Sequence, residues 1–305
     1  MSANVWRMII VGGLILLGPR FIEGQSISPD QQATLTRNYL EGEKISYQMK
    51  AVNEGHASTI RYEARADAQV EREPSGPLAE DFAWAGLLVN GQTVPLTPAS
   101  QQFRESLSLS PEYTLSVPDL SKVQPILIGP ITDLLTFYAD VQLAMRQKNL
   151  LRPGEHIYVK HGKPNSWADG TYTVFGQDSI DFDITLTEVD QAAHEATLLI
   201  RHVPPVQAHI QFPATWMTAP VGDHPNNWGE VEKTAQGKYS AEVGKETFEV
   251  VIRLSLPSGR ILSAKMDNPV DVLGRDCDDV ALSKCGTPQR YRIRRQVSLS
   301  AEESK

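Results

Sequence analysis

The sequence predicts a mainly β protein in which one long amphipathic helix covers an antiparallel curved sheet or incomplete barrel. Apolar and polar residues alternate along many short segments bounded by Gly, Pro, Asn or Asp, a pattern typical of strands with one buried face. A single central segment instead has the three- and four-residue spacing of a helix. Because strands and helices do not alternate, a doubly wound α/β fold is excluded. A pair of β-sandwich domains divided near Gly154 is the alternative.

The first hairpins follow from turn residues. Alternation over 45–51 and an extended run over 59–71 flank the turn Asn53-Glu54-Gly55, so these two strands should pair. Asn90-Gly91 predicts a second hairpin, between 82–89 and 92–96. Further strands are expected at 103–109, 156–160, 171–175, 180–186, 196–202, 228–234, 248–256, 260–266 and 291–299. Residues 110–130 carry four prolines and predict an irregular connection.

Two helices are predicted. A short one should begin at Ser28, with Pro29 in its first turn, and end near Leu40. The long central helix should cover 131–147, with Pro130 at its start and Pro153-Gly154 beyond its end. One stripe of this helix is apolar and should pack on the sheet: Ile131, Leu134, Leu135, Tyr138, Val141 and Met145.

Residues 1–24 have the form of a signal peptide. Arg7 precedes a short apolar run over 8–17, which Gly18, Pro19 and Arg20 interrupt. A membrane-spanning helix needs about 20 apolar residues, roughly twice this length. We therefore expect cleavage after Gly24, an exported protein in the periplasm or outside the cell, no permanent membrane span, and a single β-rich domain over 25–305, with 150–154 as a point of subdivision.

The overall charge limits the class of partner. The chain has 29 Lys and Arg against 37 Asp and Glu, a formal net charge of −8. Because nucleic-acid binding depends on clustered positive charge, a nucleic acid is excluded as a partner. Cys277 and Cys285 are the only cysteines. In an exported chain with no CxxC motif and no nearby histidine, they predict a disulfide and not a zinc site.

Three places were considered for catalysis or metal binding. The loop 161–170 brings together His161, Ser166 and Asp169, but without a G-x-S-x-G nucleophile turn it also fits a hairpin connection in which Trp167 packs on the core. Asp133 and Asp140 lie two helical turns apart, about 10 Å, the separation of inverting glycosidase carboxylates; the alternative is a solvated helix face.

The acidic residues over 267–279 are interpreted as a surface loop pinned by the disulfide, with calcium binding as the alternative. These residues lack the D-x-D-x-D-G pattern of a calcium loop. No histidine pair has metal-site spacing on a helix. We therefore predict no metal site and no cofactor.

Three segments carry a resemblance to known proteins: 129–138 (GPITDLLTFY), 166–170 (SWADG) and 178–183 (DSIDFD). They resemble exported bacterial proteins of unknown function, of the kind found in acidobacteria. A curved sheet that holds a helix is also similar in architecture to the half-barrel of periplasmic lipoprotein carriers. The first resemblance supplies no catalytic motif, and the second concerns architecture alone.

The leading functional hypothesis is a non-catalytic envelope protein. It would bind an apolar or lipid-like ligand, or another envelope protein, between sheet and helix, with Leu134, Tyr138 and Trp167 as ligand-facing candidates. The alternative is a secreted hydrolase of peptidoglycan or polysaccharide that uses His161, Ser166 and Asp169, or the pair Asp133 and Asp140. Finding a filled space under the helix would favour a scaffold.

Overall fold

The computed structural model describes residues 32–303, apart from positions 57, 75, 113, 114, 116, 117, 161–166, 170, 171, 176–180, 204–209, 224 and 235. Over these residues the chain is mainly β, with one large antiparallel open sheet and one main helix, which confirms the mainly β prediction. The strands are β1 (Lys44–Glu54), β2 (Thr59–Arg72), β3 (Leu78–Val89), β4 (Gln92–Thr93), β5 (Arg104–Ser108), β6 (His156–Val159), β7 (Trp167–Asp169), β8 (Tyr172–Phe175), β9 (Asp181–Asp190), β10 (Glu195–Val203), β11 (Trp228–Lys233), β12 (Tyr239–Glu246), β13 (Phe248–Ser255), β14 (Ile261–Cys277) and β15 (Gln289–Glu303).

The sheet divides into two branches along its longest strand. The large branch runs β5-β3-β2-β1-β15-β14-β13-β10-β9-β6 and uses the first half of β14. The small branch is β12-β11-β8-β7, which joins the second half of β14. Both branches share β14 and β15, and the pairing of β1 with β15 connects the two ends of the described chain in one sheet.

Strand β14 corrects the prediction of an acidic loop over 267–279. Residues up to Asp267 pair with β13, and residues from Val270 pair with β12. Pro269 lies where the neighbour changes, so its missing N–H breaks no ladder bond, and its carbonyl accepts from the N–H of Thr247 at 3.0 Å. A proline that normally ends a strand is therefore accommodated at the division of the sheet.

Both predicted hairpins are confirmed. β1 pairs with β2 in register from Lys44 to Glu54. β3 pairs with β4 across Asn90 and Gly91, whose φ angles of 50° and 79° give the doubly left-handed turn that suits a two-residue hairpin.

Two α-helices are described, α1 (Pro98–Gln102) and α2 (Pro125–Met145), together with a 3-10 helix at Thr215–Thr218. The predicted start of the long helix was wrong, because Pro125 occupies its first turn and Pro130 lies inside it. The predicted helix ending at Leu40 is also wrong for residues 32–40, which contain no regular secondary structure. The N–H groups of Ala33 and Asn38 in this segment donate to the carbonyls of Leu151 and Ser258, at 2.8 Å each.

The apolar core is divided as the sheet is. The large core lies between α2 and the large branch, and buries Leu127, Ile131, Leu134, Phe137 and Val141 of the helix completely. The small branch has two minor clusters, one around Met217 and Val243 and the other around Trp228. The predicted disulfide joins Cys277 and Cys285, with Cα atoms 4.0 Å apart, at the end of β14.

Candidate functional site

The interior face of α2 is the place where polar side chains are concentrated. Leu134 and Tyr138 are both 0% exposed, which confirms their predicted place in the core. Neither lines the grooves that the described residues form on the strand surfaces, and their role as ligand-facing residues stays a prediction. Over the described residues, α2 is the only helix long and apolar enough to cross a membrane. A buried core helix can have the same length and composition, and the burial of α2 is typical of such a helix.

Asp133 and Asp140 do not form the predicted pair. Each is 2% exposed, so the expectation of a solvated helix face is wrong. Each carboxylate is bonded to a different side chain from the sheet, Arg295 for Asp133 and His202 for Asp140. Because the two carboxylates are separately bonded inside the core, this arrangement does not support a glycosidase mechanism, in which both must reach one bond of the sugar.

Asp133 belongs to a buried ion pair between helix and sheet. Its carboxylate lies 2.6 Å from a guanidinium nitrogen of Arg295 and accepts a hydrogen bond from the hydroxyl of Tyr62. Arg295 also donates to the carbonyl of Gly129 at 3.3 Å. Burial raises the pKa of Asp133, and Arg295 and Tyr62 oppose that rise. The arrangement joins α2 to β15 and β2.

Asp140 is bonded to an aromatic-enclosed histidine. Nε2 of His202 lies 3.1 Å from one carboxylate oxygen of Asp140 and 3.3 Å from the other. The ring of His202 makes edge contacts with Phe182 and Phe248, at centroid distances of 4.7 and 4.1 Å. An acid that orients a histidine is one element of a general base, but no nucleophile is described beside it, and the pair joins α2 to β10.

A third polar cluster surrounds Glu80. The hydroxyl of Tyr47 donates to its carboxylate at 3.0 Å, and the hydroxyl of Tyr138 donates to its other oxygen. The two tyrosine oxygens are 3.1 Å apart, and both rings contact Phe82. Burial raises the pKa of Glu80, while the tyrosine donors and Arg37 lower it. Arg37 lies over the ring of Tyr138, 5.0 Å from its centroid.

Glu105 is a buried carboxyl with no bonded partner. It is 1% exposed, and neither carboxyl oxygen makes a hydrogen bond in the described part of the chain. The indole N–H of Trp84, on the neighbouring strand, is also buried without a hydrogen bond. Burial raises the pKa of Glu105 to about 8. The sequence does indicate that Glu80 and Glu105 face the core, because each lies two residues before an apolar core residue, Phe82 and Leu107. The alternation does not indicate what function a buried acid would have there.

The catalytic loop prediction falls mostly outside the described residues. His161 and Ser166 lie outside them. Trp167 and Asp169 lie in β7, which pairs with β8, and the description covers their backbone only. The hydrolase hypothesis based on this loop therefore stays a prediction.

The acidic residues near the disulfide are occupied by cations and turn N–H groups. Asp267 accepts two hydrogen bonds from Arg294, at 2.7 and 2.8 Å, and Asp278 lies 2.9 Å from Lys238. Asp279 accepts from the backbone of Ser283 at 3.0 Å. Among the described residues, no group of three or more His, Cys, Asp or Glu has the geometry of a metal site. The calcium alternative gains no support from these contacts.

Two grooves formed by described residues lie on strand surfaces. One of about 390 Å³ crosses β1, β15, β14 and β13 and is lined by Val52, Val251, Met266 and Val297 among charged residues. A polar groove of about 610 Å³ crosses β1, β2, β3 and β5.

No protein-family model matches the chain, and no curated protein matches it at a significant level. The functional inference therefore depends on the geometry of this chain alone.

Proposed function

We propose that this protein is an exported, non-catalytic scaffold or binding module of the cell envelope, in which the sheet curves around α2 as an incomplete barrel. The observation that supports this proposal is the filled space between helix and sheet. Side chains of α2, including Leu134 and Phe137, are fully buried against the large branch. A carrier that enclosed a lipid there would need an open cavity. A rigid body that engages another envelope protein by its outer surface is favoured instead.

The buried polar groups also favour a non-catalytic role. A catalytic group must reach its substrate, within hydrogen-bond distance of the reacting atoms. Asp133 and Asp140 are instead bonded to Arg295 and His202 inside the core. These bonds fix the helix to two strands of the sheet, β15 and β10, and a buried ion pair such as that of Asp133 and Arg295 gives orientation more than stability. Their geometry suits a fixed surface.

The test combines native mass spectrometry with an activity assay, on protein purified from its own envelope. The proposal predicts a stoichiometric protein partner, no enclosed lipid and no turnover of peptidoglycan or polysaccharide. Ser166→Ala should leave every property unchanged, as should the matched control Ser300→Ala on the exposed face of β15. Turnover that is lost in Ser166→Ala and kept in Ser300→Ala would establish the hydrolase instead. N-terminal sequencing of the same material tests export, and an intact Met1 would contradict it.

A further inference from the structure

The N-terminal strap, residues 32–40, closes one end of the core. Its backbone is fixed at two points, the bonds from Ala33 and Asn38 described above. It crosses the turn at Gly259, where a Cβ would collide with the carbonyl of Thr36, and where φ is +69°. Only glycine meets both demands. The strap is therefore fitted closely to the end of the barrel, although its own hydrogen bonds are few.

The strap carries two buried donor groups that have no acceptor. All three guanidinium nitrogens of Arg37 are buried and make no hydrogen bond in the described part of the chain. The hydroxyl of Tyr39, a residue only 6% exposed, is in the same condition. Burying a donor without an acceptor costs about 1–3 kcal/mol, and more for a charged group. Since arginine does not deprotonate in proteins, this cost cannot be relieved by loss of a proton.

The neighbouring acids are already engaged. Glu43 lies 3.0 Å from Arg260, which balances its charge. The carboxyl of Glu80 accepts hydrogen bonds from the hydroxyls of Tyr47 and Tyr138, and burial raises its pKa. Arg37 thus has a cation–π contact with Tyr138 but no hydrogen-bonded counter-charge.

We propose that Arg37 and Tyr39 form a carboxylate-binding site, which the strap closes. A planar guanidinium matches a carboxylate in a two-bond geometry, and such charge-assisted bonds are about twice as strong as neutral ones. The hydroxyl of Tyr39 supplies a further donor. The ligand is a small free monocarboxylate, because the packed side chains under α2 leave no room for the alkyl chain of an amphipathic acid. This site goes beyond the proposed scaffold function and does not depend on it, because Arg37 and Tyr39 would form the site whether or not the outer surface binds a protein partner.

The experiment measures binding of acetate, decanoate, decanol and chloride to the full mature chain, by calorimetry and thermal shift. We expect acetate to bind and decanol and chloride not to. Decanoate should bind at least about tenfold more weakly than acetate, because its alkyl chain has no space in the packed core, and tighter binding of decanoate would contradict a small-acid ligand. Arg37→Gln should weaken binding at least about tenfold, with Tyr39→Phe weaker in effect. The exposed Arg65→Gln is the matched control and should bind as the wild type does.

Two results would overturn the site. One is no carboxylate binding by the wild type up to about 10 mM, the limit of a weak ligand. The other is the same affinity in Arg37→Gln as in the wild type. Arg37→Lys keeps the charge and replaces the glutamine variant if that variant does not fold. The site predicts that Arg37→Lys binds acetate more weakly than the wild type and Arg65→Gln do, but still measurably. If acetate does not bind, the carboxylate site is rejected, but the proposed scaffold function is still tested separately by the search for a protein partner and by the turnover assay.

Discussion

The two branches of the sheet are stabilised in different ways. The large branch and α2 share one continuous apolar core, with ion pairs and tyrosine–carboxyl bonds buried inside it. The small branch has only minor clusters around Met217 and Trp228, and carries the disulfide. A small apolar core supplies little free energy, and a cross-link compensates by restricting the unfolded chain. A large core, in contrast, tolerates the desolvation cost of polar groups that orient its helix.

The largest effect should come from breaking the ion pair at Asp133. Asp133→Ala leaves Arg295 without its carboxylate and should cost about 4 kcal/mol in the free energy of unfolding, measured by urea denaturation. Asp133→Leu combined with Arg295→Met removes both charges and should recover most of this loss. A loss below about 1 kcal/mol in Asp133→Ala would show that the large branch does not depend on the pair.

The next effect concerns apolar packing in the same branch. Leu134→Ala creates a cavity at a fully buried position and should cost about 3 kcal/mol. Leu135→Ala, one residue away and only partly buried, is the matched control and should cost less than half as much. Equal losses in the two variants would contradict the assignment of the helix face.

Removing the disulfide tests the small branch. Replacing Cys277 and Cys285 by serine should cost about 2.5 kcal/mol, from the short loop that the bridge closes. Hydrogen exchange should rise in β12 and the second half of β14, and stay unchanged in β1 and β2. A uniform rise across both branches would mean that they unfold as one unit and are not stabilised separately.

The smallest effect tests how well the large core tolerates an unpaired acid. Burial raises the pKa of Glu105 from 4.5 to about 8, so the folded state keeps a proton that the unfolded state has lost between these values. The free energy of unfolding should therefore fall as pH rises from 4.5 to 8, and level off above 8. Glu105→Gln should remove this fall and be about 2 kcal/mol more stable at pH 8, since its own unpaired amide offsets part of the gain.

The control for this titration is Glu71→Gln, at an exposed position of β2. It should leave the pH dependence as in the wild type. A parallel fall with pH in the wild type and in Glu105→Gln would assign the dependence to another group.

Several strands could be predicted because their information is local. Asn90-Gly91 specifies a two-residue turn, and the alternation over 45–51 specifies one buried face. β12 was missed because Gly244 and its charged neighbours have weak strand propensity. It forms because it pairs with β14, whose backbone at Asp271 approaches so closely that a Cβ at Gly244 would collide with it.

The site residues were predicted less well than the strands. The helical wheel placed Asp133 and Asp140 opposite the apolar stripe and therefore in water, but α2 is enclosed on that side too. Their partners, Arg295 and His202, lie 162 and 62 residues further along the chain. A helical wheel projects the residues of one helix only, so it cannot show which residues of the sheet pack against the polar face of that helix.

The sequence by itself determined the mainly β class, the hairpins, the central helix and the cysteine pair, because each depends on residues close together in the chain. Only the tertiary structure decided that Pro130 lies within the helix, that β14 continues through Pro269, and that residues 32–40 form an irregular strap. It also decided which polar residues are buried and what they bond. The physical reason is that burial and pairing depend on surfaces contributed by segments distant in the chain. A buried polar group loses its hydration, and only a hydrogen-bonding partner from those segments offsets that loss.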